Sequence, residues 1–259
     1  MKKLLVSVLI CLFCLPLVSK VKAEDPLNAK QRAWLKSHGT IRVGAFNFYP
    51  PFGFVDETGE PQGMSIDFWR LISSKLDFWV QFSPTVFKNQ LNGLKSGKYD
   101  SLTGIFPLMK RQKSFDFSKS YTIIRTYIYV KPKHSHMESL KDLKGLKVSA
   151  VEGDSGQTFG REAGLNPFSF PTYREAIFNL ANGDTDAIIM DELVVTYYIA
   201  KHNFHGKIIK IGQPVDEGKM TLPVSKGNTI LLDILNKGID MVSKDEWEKI
   251  EEEWLGQKR

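Results

Sequence analysis

The chain has 259 residues, two cysteines and a formal net charge of +6. Lys2 and Lys3, the apolar stretch Leu4 to Val18 and the small-residue site Val21-Lys-Ala23 read as a secretion leader that ends before Glu24. Cys11, Cys14 and four lysines (Lys2, Lys3, Lys20, Lys22) leave with it, so the remaining 236 residues (259 − 23) carry +2 (31 − 29), which excludes disulfides, thiolate metal sites and cysteine nucleophiles and removes the case for nucleic-acid binding.

The apolar run of the leader is too short and wrongly flanked for a membrane span. A cysteine-free exported chain of this size depends on its hydrophobic core, in one two-lobed domain or two small ones. Asn28 to His38 reads as a short amphipathic helix stopped by Gly39, and Ile41-Arg-Val-Gly-Ala as a strand. An aromatic loop, Phe46-Asn-Phe-Tyr-Pro-Pro-Phe52, leads into a hairpin over 54–63 with Asp56-Glu-Thr-Gly59 as its turn. Ser65 to Leu76 has helical spacing with Ser65 as N-cap. Val80-Gln-Phe is a strand, Asn89 to Ser96 a helix stopped by Gly97, and Tyr99 to Leu102 a short strand. Further on, Tyr127-Ile-Tyr-Val and the end of Leu140…Val151 are strands, Gly153-Asp-Ser-Gly opens a helix, and Tyr173 to Gly183 is another. Asp186-Ala-Ile-Ile-Met is a buried strand, a helix runs over 191–201, and Thr221-Leu-Pro-Val is a return strand. Two amphipathic helices, Thr229 to Val242 and Asp245 to Leu255, close the chain. They have no sheet of their own and pack back on the first part. Alternating strands and helices predict an α/β fold with a largely parallel sheet.

The most specific stretch is Gly97-Lys-Tyr-Asp-Ser-Leu-Thr-Gly-Ile-Phe-Pro-Leu-Met-Lys-Arg-Gln-Lys-Ser-Phe-Asp-Phe-Ser-Lys-Ser-Tyr121. It resembles the signature of bacterial periplasmic solute-binding proteins of the polar amino-acid receptor class. It departs from that signature at Pro107-Leu-Met-Lys, where Tyr/Thr-x-x-Glu is usual, and at Ser120, where Pro is usual. Gln31-Arg-Ala-Trp-Leu…Ile-Arg-Val-Gly44 and Trp247…Trp254-Leu-Gly256 are similar to the opening and closing segments of the same family. The resemblance spans the chain beyond the leader. It implies a two-lobed Venus flytrap, α/β in class, with residues 24–124 and 223–259 as one lobe and 125–222 as the other. Two crossings, near Ile123–Thr126 and Thr221–Val224, would form the hinge.

Seven residues follow as candidate ligand contacts. Arg111 stands beside Lys110 and Lys113 and taken alone reads as a surface arginine. The resemblance implies that it grips a ligand α-carboxylate, a role that suits a planar, permanently charged guanidinium. Asp191 ends a strand, at the sheet edge where open α/β folds bind ligands. It serves a helix N-cap as well as an amine, and the resemblance implies the ligand ammonium. Ser155 sits in the turn Gly153-Asp-Ser-Gly, where a helix N-terminus favours an anion. The neighbouring Asp154 works against a purely anionic reading. Tyr49 and Phe87 fall in family register on two rings that hold the ligand, with core packing the other reading. Thr103 and Gly104 would offer a hydroxyl and close backbone approach. Where members that bind cationic side chains carry an acid, two residues after Gly44, this chain has Phe46, which implies an apolar or neutral ligand side chain.

The histidine pairs His134/His136 and His202/His205 lack matching carboxylates and read as surface residues, so neither metal nor cofactor is expected. The function implied is periplasmic binding of a small amino acid or similar ligand by a monomeric protein. Its partner would be a membrane transporter permease or a sensor protein. An enzyme on the same scaffold, similar to cyclohexadienyl dehydratases, is the alternative, with Glu192, Glu152 or Asp154 as its acid.

Overall fold

The structure, a computed structural model, describes residues 25–255; the leader reading lies outside them. Helix α1 (Ala29–His38) begins in a capping box, Asn28 accepting from the Gln31 N–H and Gln31 from the Asn28 N–H, and ends at Gly39. Strand β1 (Ile41–Phe46) follows. Then β2 (Phe48–Tyr49), β3 (Gly53–Val55) and β4 (Pro61–Gln62) form a small antiparallel sheet in that order. Helix α2 (Met64–Leu76) is capped at Gly63 without a side-chain hydrogen bond. The expected N-cap, Ser65, is therefore corrected: it lies one residue inside the helix, its Oγ 2.9 Å from the Tyr121 hydroxyl.

Strand β5 (Val80–Thr85), helix α3 (Phe87–Lys95), strand β6 (Ser101–Leu102) and the single turn α4 (Met109–Gln112) complete the first part. A 16-residue strand, β7 (Phe115–Val130), leads into β8 (Val148–Val151), α5 (Ser155–Glu162) and β9 (Phe168–Phe170). Next come α6 (Tyr173–Asn182), β10 (Ala187–Asp191) and α7 (Glu192–His202). The 17-residue β11 (Ile209–Ser225) returns, and α8 (Thr229–Asp240) and α9 (Lys244–Leu255) close the described chain.

The main sheet has the order β5-β1-β6-β11-β7-β10-β8-β9. Its flanks are parallel, β5-β1-β6 on one side and β10-β8-β9 on the other. The antiparallel pair β7/β11 joins them. The largely parallel sheet expected from the sequence is thus a mixed one. Its two middle strands run past one another between two α/β halves. Ile123–Thr126 of β7 lies opposite Lys219–Asp216 of β11, whereas Thr221–Val224 lies opposite Ser120–Asp116. The two stretches named as crossings, Ile123–Thr126 and Thr221–Val224, are offset along the ribbon.

The main core runs from Ile41, Trp69, Ile72 and Leu76 through Leu231, Ile234 and Leu235. Helices α8 and α9 return to the first half as expected. The Trp254 indole N–H donates to Asp67 at 2.8 Å, and the Trp247 ring meets Phe68 edge-on at 5.5 Å. A smaller core of Ile128, Val130, Leu143, Val148, Ala187, Ile189 and Ile211 stabilises the second half. Burial of aliphatic side chains at about 25 cal/mol per Å² is what holds each half together without disulfides.

Candidate functional site

Strand ends from both halves meet at one enclosed point. From the first half come Phe46 at the end of β1, Tyr49 on β2, Phe87 opening α3, Gly104 to Phe106 after β6, and Arg111 on α4. From the second come Asp154 before α5, Tyr173 opening α6 and Asp191 ending β10, while Met220 on β11 forms the floor. The carboxyl ends of sheet strands are where this architecture exposes backbone and polar side chains to a ligand. The space between them is about 10 Å³, on the order of one water molecule.

Arg111 is 4% exposed, so it is not a surface arginine. One terminal nitrogen donates to the Phe106 carbonyl at 2.9 Å, and the other crosses to the Gly153 carbonyl at 3.0 Å. Its guanidinium carbon lies 5.3 Å from the centre of the Phe87 ring, a cation–π distance. Its Nε is buried without a partner. Burial pulls its pKa down, and the carboxyl of Asp154 is the largest charge acting to hold the proton on.

Asp191 is 2% exposed. Thr126 donates to one carboxyl oxygen at 2.5 Å, and the Tyr49 hydroxyl of the opposite half donates to the other. It has the backbone shape of an N-cap but makes no capping hydrogen bond, and with its oxygens held by Thr126 and Tyr49 it lines the cavity. Burial first, and then the charge of Asp154, push its pKa up to about 7. Asp154 is also buried, and burial raises its pKa against the opposing pull of Arg111, the Ser155 N–H and the Tyr173 hydroxyl. The same surroundings push the Tyr49 and Tyr173 phenols well above the usual range. Those two rings lie 4.6 Å apart, and Phe46 lies 4.5 Å from Tyr49.

Of the seven residues expected from the sequence, Tyr49, Phe87, Gly104, Arg111 and Asp191 line the cavity together. At Gly104 a Cβ would come within 2.7 Å of both the Met220 sulfur and the Tyr121 hydroxyl, so only glycine brings backbone to the lining here. Thr103 and Ser155 stand behind that lining. Thr103 is fully buried and its hydroxyl has no partner, and the Ser155 hydroxyl lies 3.4 Å from Asp154. Sequence reasoning did not single out Tyr173, Phe106 or Met220. Tyr173 follows β9, a three-residue strand not read from the sequence. Had that strand been recognised, the strand-end rule would have pointed to Tyr173. Glu192 and Glu152 are not in the lining. They pair with Lys210 and Lys88, each at 2.7 Å, toward solvent.

Among the described residues no group of three or more His, Cys, Asp or Glu could hold a metal, and no helix is long and apolar enough to cross a membrane.

A family model described as bacterial extracellular solute-binding proteins, family 3, matches residues 41–257. The chain is similar to the L-cystine-binding protein TcyJ of Escherichia coli (strain K12), 27% identical over 227 residues that cover 86% of this chain and 85% of that protein. It is also similar to the solved structure of an ancestral arginine-binding protein bound to glutamine, with a TM-score of 0.76 and 34% identity, over 85% of this chain and 99% of that one. A histidine kinase sensor domain with similarity to periplasmic binding proteins gives a TM-score of 0.78 at 27% identity, over 84% of this chain and 96% of that one. The two-lobed Venus flytrap expected from the sequence is the architecture of these structures and of this chain.

Proposed function

We propose that this chain, which belongs to the bacterial extracellular solute-binding proteins of family 3, holds a small amino-acid-like ligand between its lobes in the periplasm. It then presents that ligand to a membrane transporter or to a sensor protein. The observation that carries the reading is the meeting of buried polar groups from both halves at one point: Tyr49 reaches Asp191, and Arg111 reaches the Gly153 carbonyl. In this reading Asp191 receives the ligand ammonium, the rings of Tyr49 and Phe87 hold its body, and Gly104 and Arg111, backed by Thr103 and Ser155, face its remaining polar end. The lobe limits proposed with it are 24–124 with 223–259, and 125–222. The β7/β11 ribbon flexes where Ile123–Thr126 lies opposite Asp216–Lys219. A ligand touching both halves shifts such a hinge only by its differential affinity for the closed state.

The relatives named above bind cystine, arginine or glutamine, or belong to a sensor, which supports a receptor that releases its ligand unchanged. A lyase reading draws on one observation, that Asp154 places a buried carboxyl in the cleft lining. A thermal-shift screen of amino acids, amines and organic acids should find a compound that raises the melting temperature. Small-angle scattering with that compound should then show a smaller radius of gyration, and mass spectrometry should recover it intact. Recovery of a dehydrated product, abolished in Asp154→Asn with binding retained, would establish the lyase and reject the receptor.

A further inference from the structure

Within the proposed binding function, the cleft itself restricts the ligand class. Three charged side chains line it: Arg111, Asp154 and Asp191. With both acids ionised their sum is −1 (1 − 2). The single cation is held in place by the protein, with its buried Nε left without a partner. Both terminal nitrogens of Arg111 donate to carbonyls, its face rests on Phe87, and Asp154 is the largest charge acting on it. An α-carboxylate seated on Arg111 would therefore arrive beside the buried carboxyl of Asp154, at the helix N-terminus where the resemblance implies that the ligand carboxylate binds. Like charges brought together in a desolvated site select against a ligand.

The other surfaces of the cleft suit a cation. Asp191 ends β10 with its carboxyl turned toward Tyr49. Phe46, Tyr49 and Tyr173 form a run of rings across the two halves, at 4.5 and 4.6 Å between neighbours. Ring faces attract organic cations, most strongly where water is excluded. Beside Phe46 the cleft offers no further lining acid from the first half, which leaves room for one positive charge rather than two.

We infer that the ligand is a monocationic amine whose carboxyl group is absent or masked, held by Asp191, Asp154 and the rings of Phe46, Tyr49 and Tyr173, and that Asp154 is the residue that rejects the free α-amino acid. The inference rests on the cleft being the ligand site.

The test compares amines with their parent amino acids by calorimetry at pH 8: phenylethylamine with phenylalanine, tyramine with tyrosine, and isobutylamine with valine. At least one amine should bind the purified chain about 100-fold more tightly than its parent. In Asp154→Thr, which puts a small hydroxyl in place of the carboxyl, that gap should close or reverse. A parent amino acid that binds the unmodified chain as tightly as its amine would overturn the exclusion of carboxylates and leave the binding function standing. Absence of binding by every amine would overturn the inference, and the wider thermal-shift screen decides the binding function separately.

Discussion

Replacing Asp191 by asparagine should stabilise the protein at pH 8 while abolishing binding. The Asp191 carboxyl titrates near 7 in the folded chain, against an ordinary value of 3.8. A raised carboxyl pKa means that the folded state holds its proton more tightly than the unfolded state does. The stability this provides is complete below about pH 4 and is lost as the pH rises through about 7. Above that, folding must bury a carboxylate already ionised in the unfolded chain, which burial and Asp154 both disfavour, at a cost of up to ~4 kcal/mol from about 1.4 kcal/mol per pH unit. Asparagine never ionises. It keeps one oxygen for Thr126 or Tyr49 and turns an amide toward the other hydroxyl, which loses about 1 kcal/mol of hydrogen bonding. The variant should therefore be roughly 2–3 kcal/mol more stable than the parent at pH 8, and equal or slightly less stable at pH 4. Urea unfolding of the free proteins at both pH values, with slopes compared to establish that the unfolding transition is unchanged, measures the difference. Equal stability differences at pH 4 and pH 8 would refute the reasoning, since hydrogen bonds lost without a titration give no pH dependence. A variant that is more stable yet cannot bind is what a site strained for function produces.

The same titration predicts the pH profile of binding. Because an ammonium needs the ionised carboxylate, affinity should rise about tenfold per pH unit below 7 and level off above it, with proton release visible as a buffer-dependent heat in calorimetry. Gly156→Ala should destabilise the second half by about 1–3 kcal/mol in thermal unfolding, because the new Cβ would lie 2.2 Å from the Ile189 carbonyl and force α5 away from β10. Glu152→Gln, which breaks the 2.7 Å pair with the half-exposed Lys88 across the cleft, should change stability by less than about 0.5 kcal/mol in the same assay.

The halves of this molecule differ in how openly the sequence declares them. Helices α1 and α6 were legible through their spacing and their glycine stops, Gly39 and Gly183, whereas their starting caps, Asn28 with Gln31 and Thr172, were not read. The buried strand β10 was legible because Ala187 to Met190 is apolar on both faces. The long strands β7 and β11 were read only at their apolar ends. Their middle stretches, Lys119 to Thr126 and Gly212 to Lys219, mix charged, small and half-exposed residues. A strand that passes between two lobes has no continuous core face to impose alternation. The site shows the same division. Arg111, Asp191 and Tyr49 were found because the chain around them follows a recognised pattern, and for Arg111 local composition pointed the other way, to a surface residue among lysines. What the pattern could not supply was the pairing across halves. Asp154 was read as one acid near a helix start, an argument against an anion and one of three candidate acids for a lyase. Only the folded chain brings it within the field of Arg111 and Asp191, so that its charge both balances the arginine and raises the pKa of the second acid. A buried charge is the least legible part of a site, because its energy is set by partners that lie far away in sequence. Asp154 is such a buried charge, and in the proposed reading it decides the ligand more than the arginine that first marks the cleft.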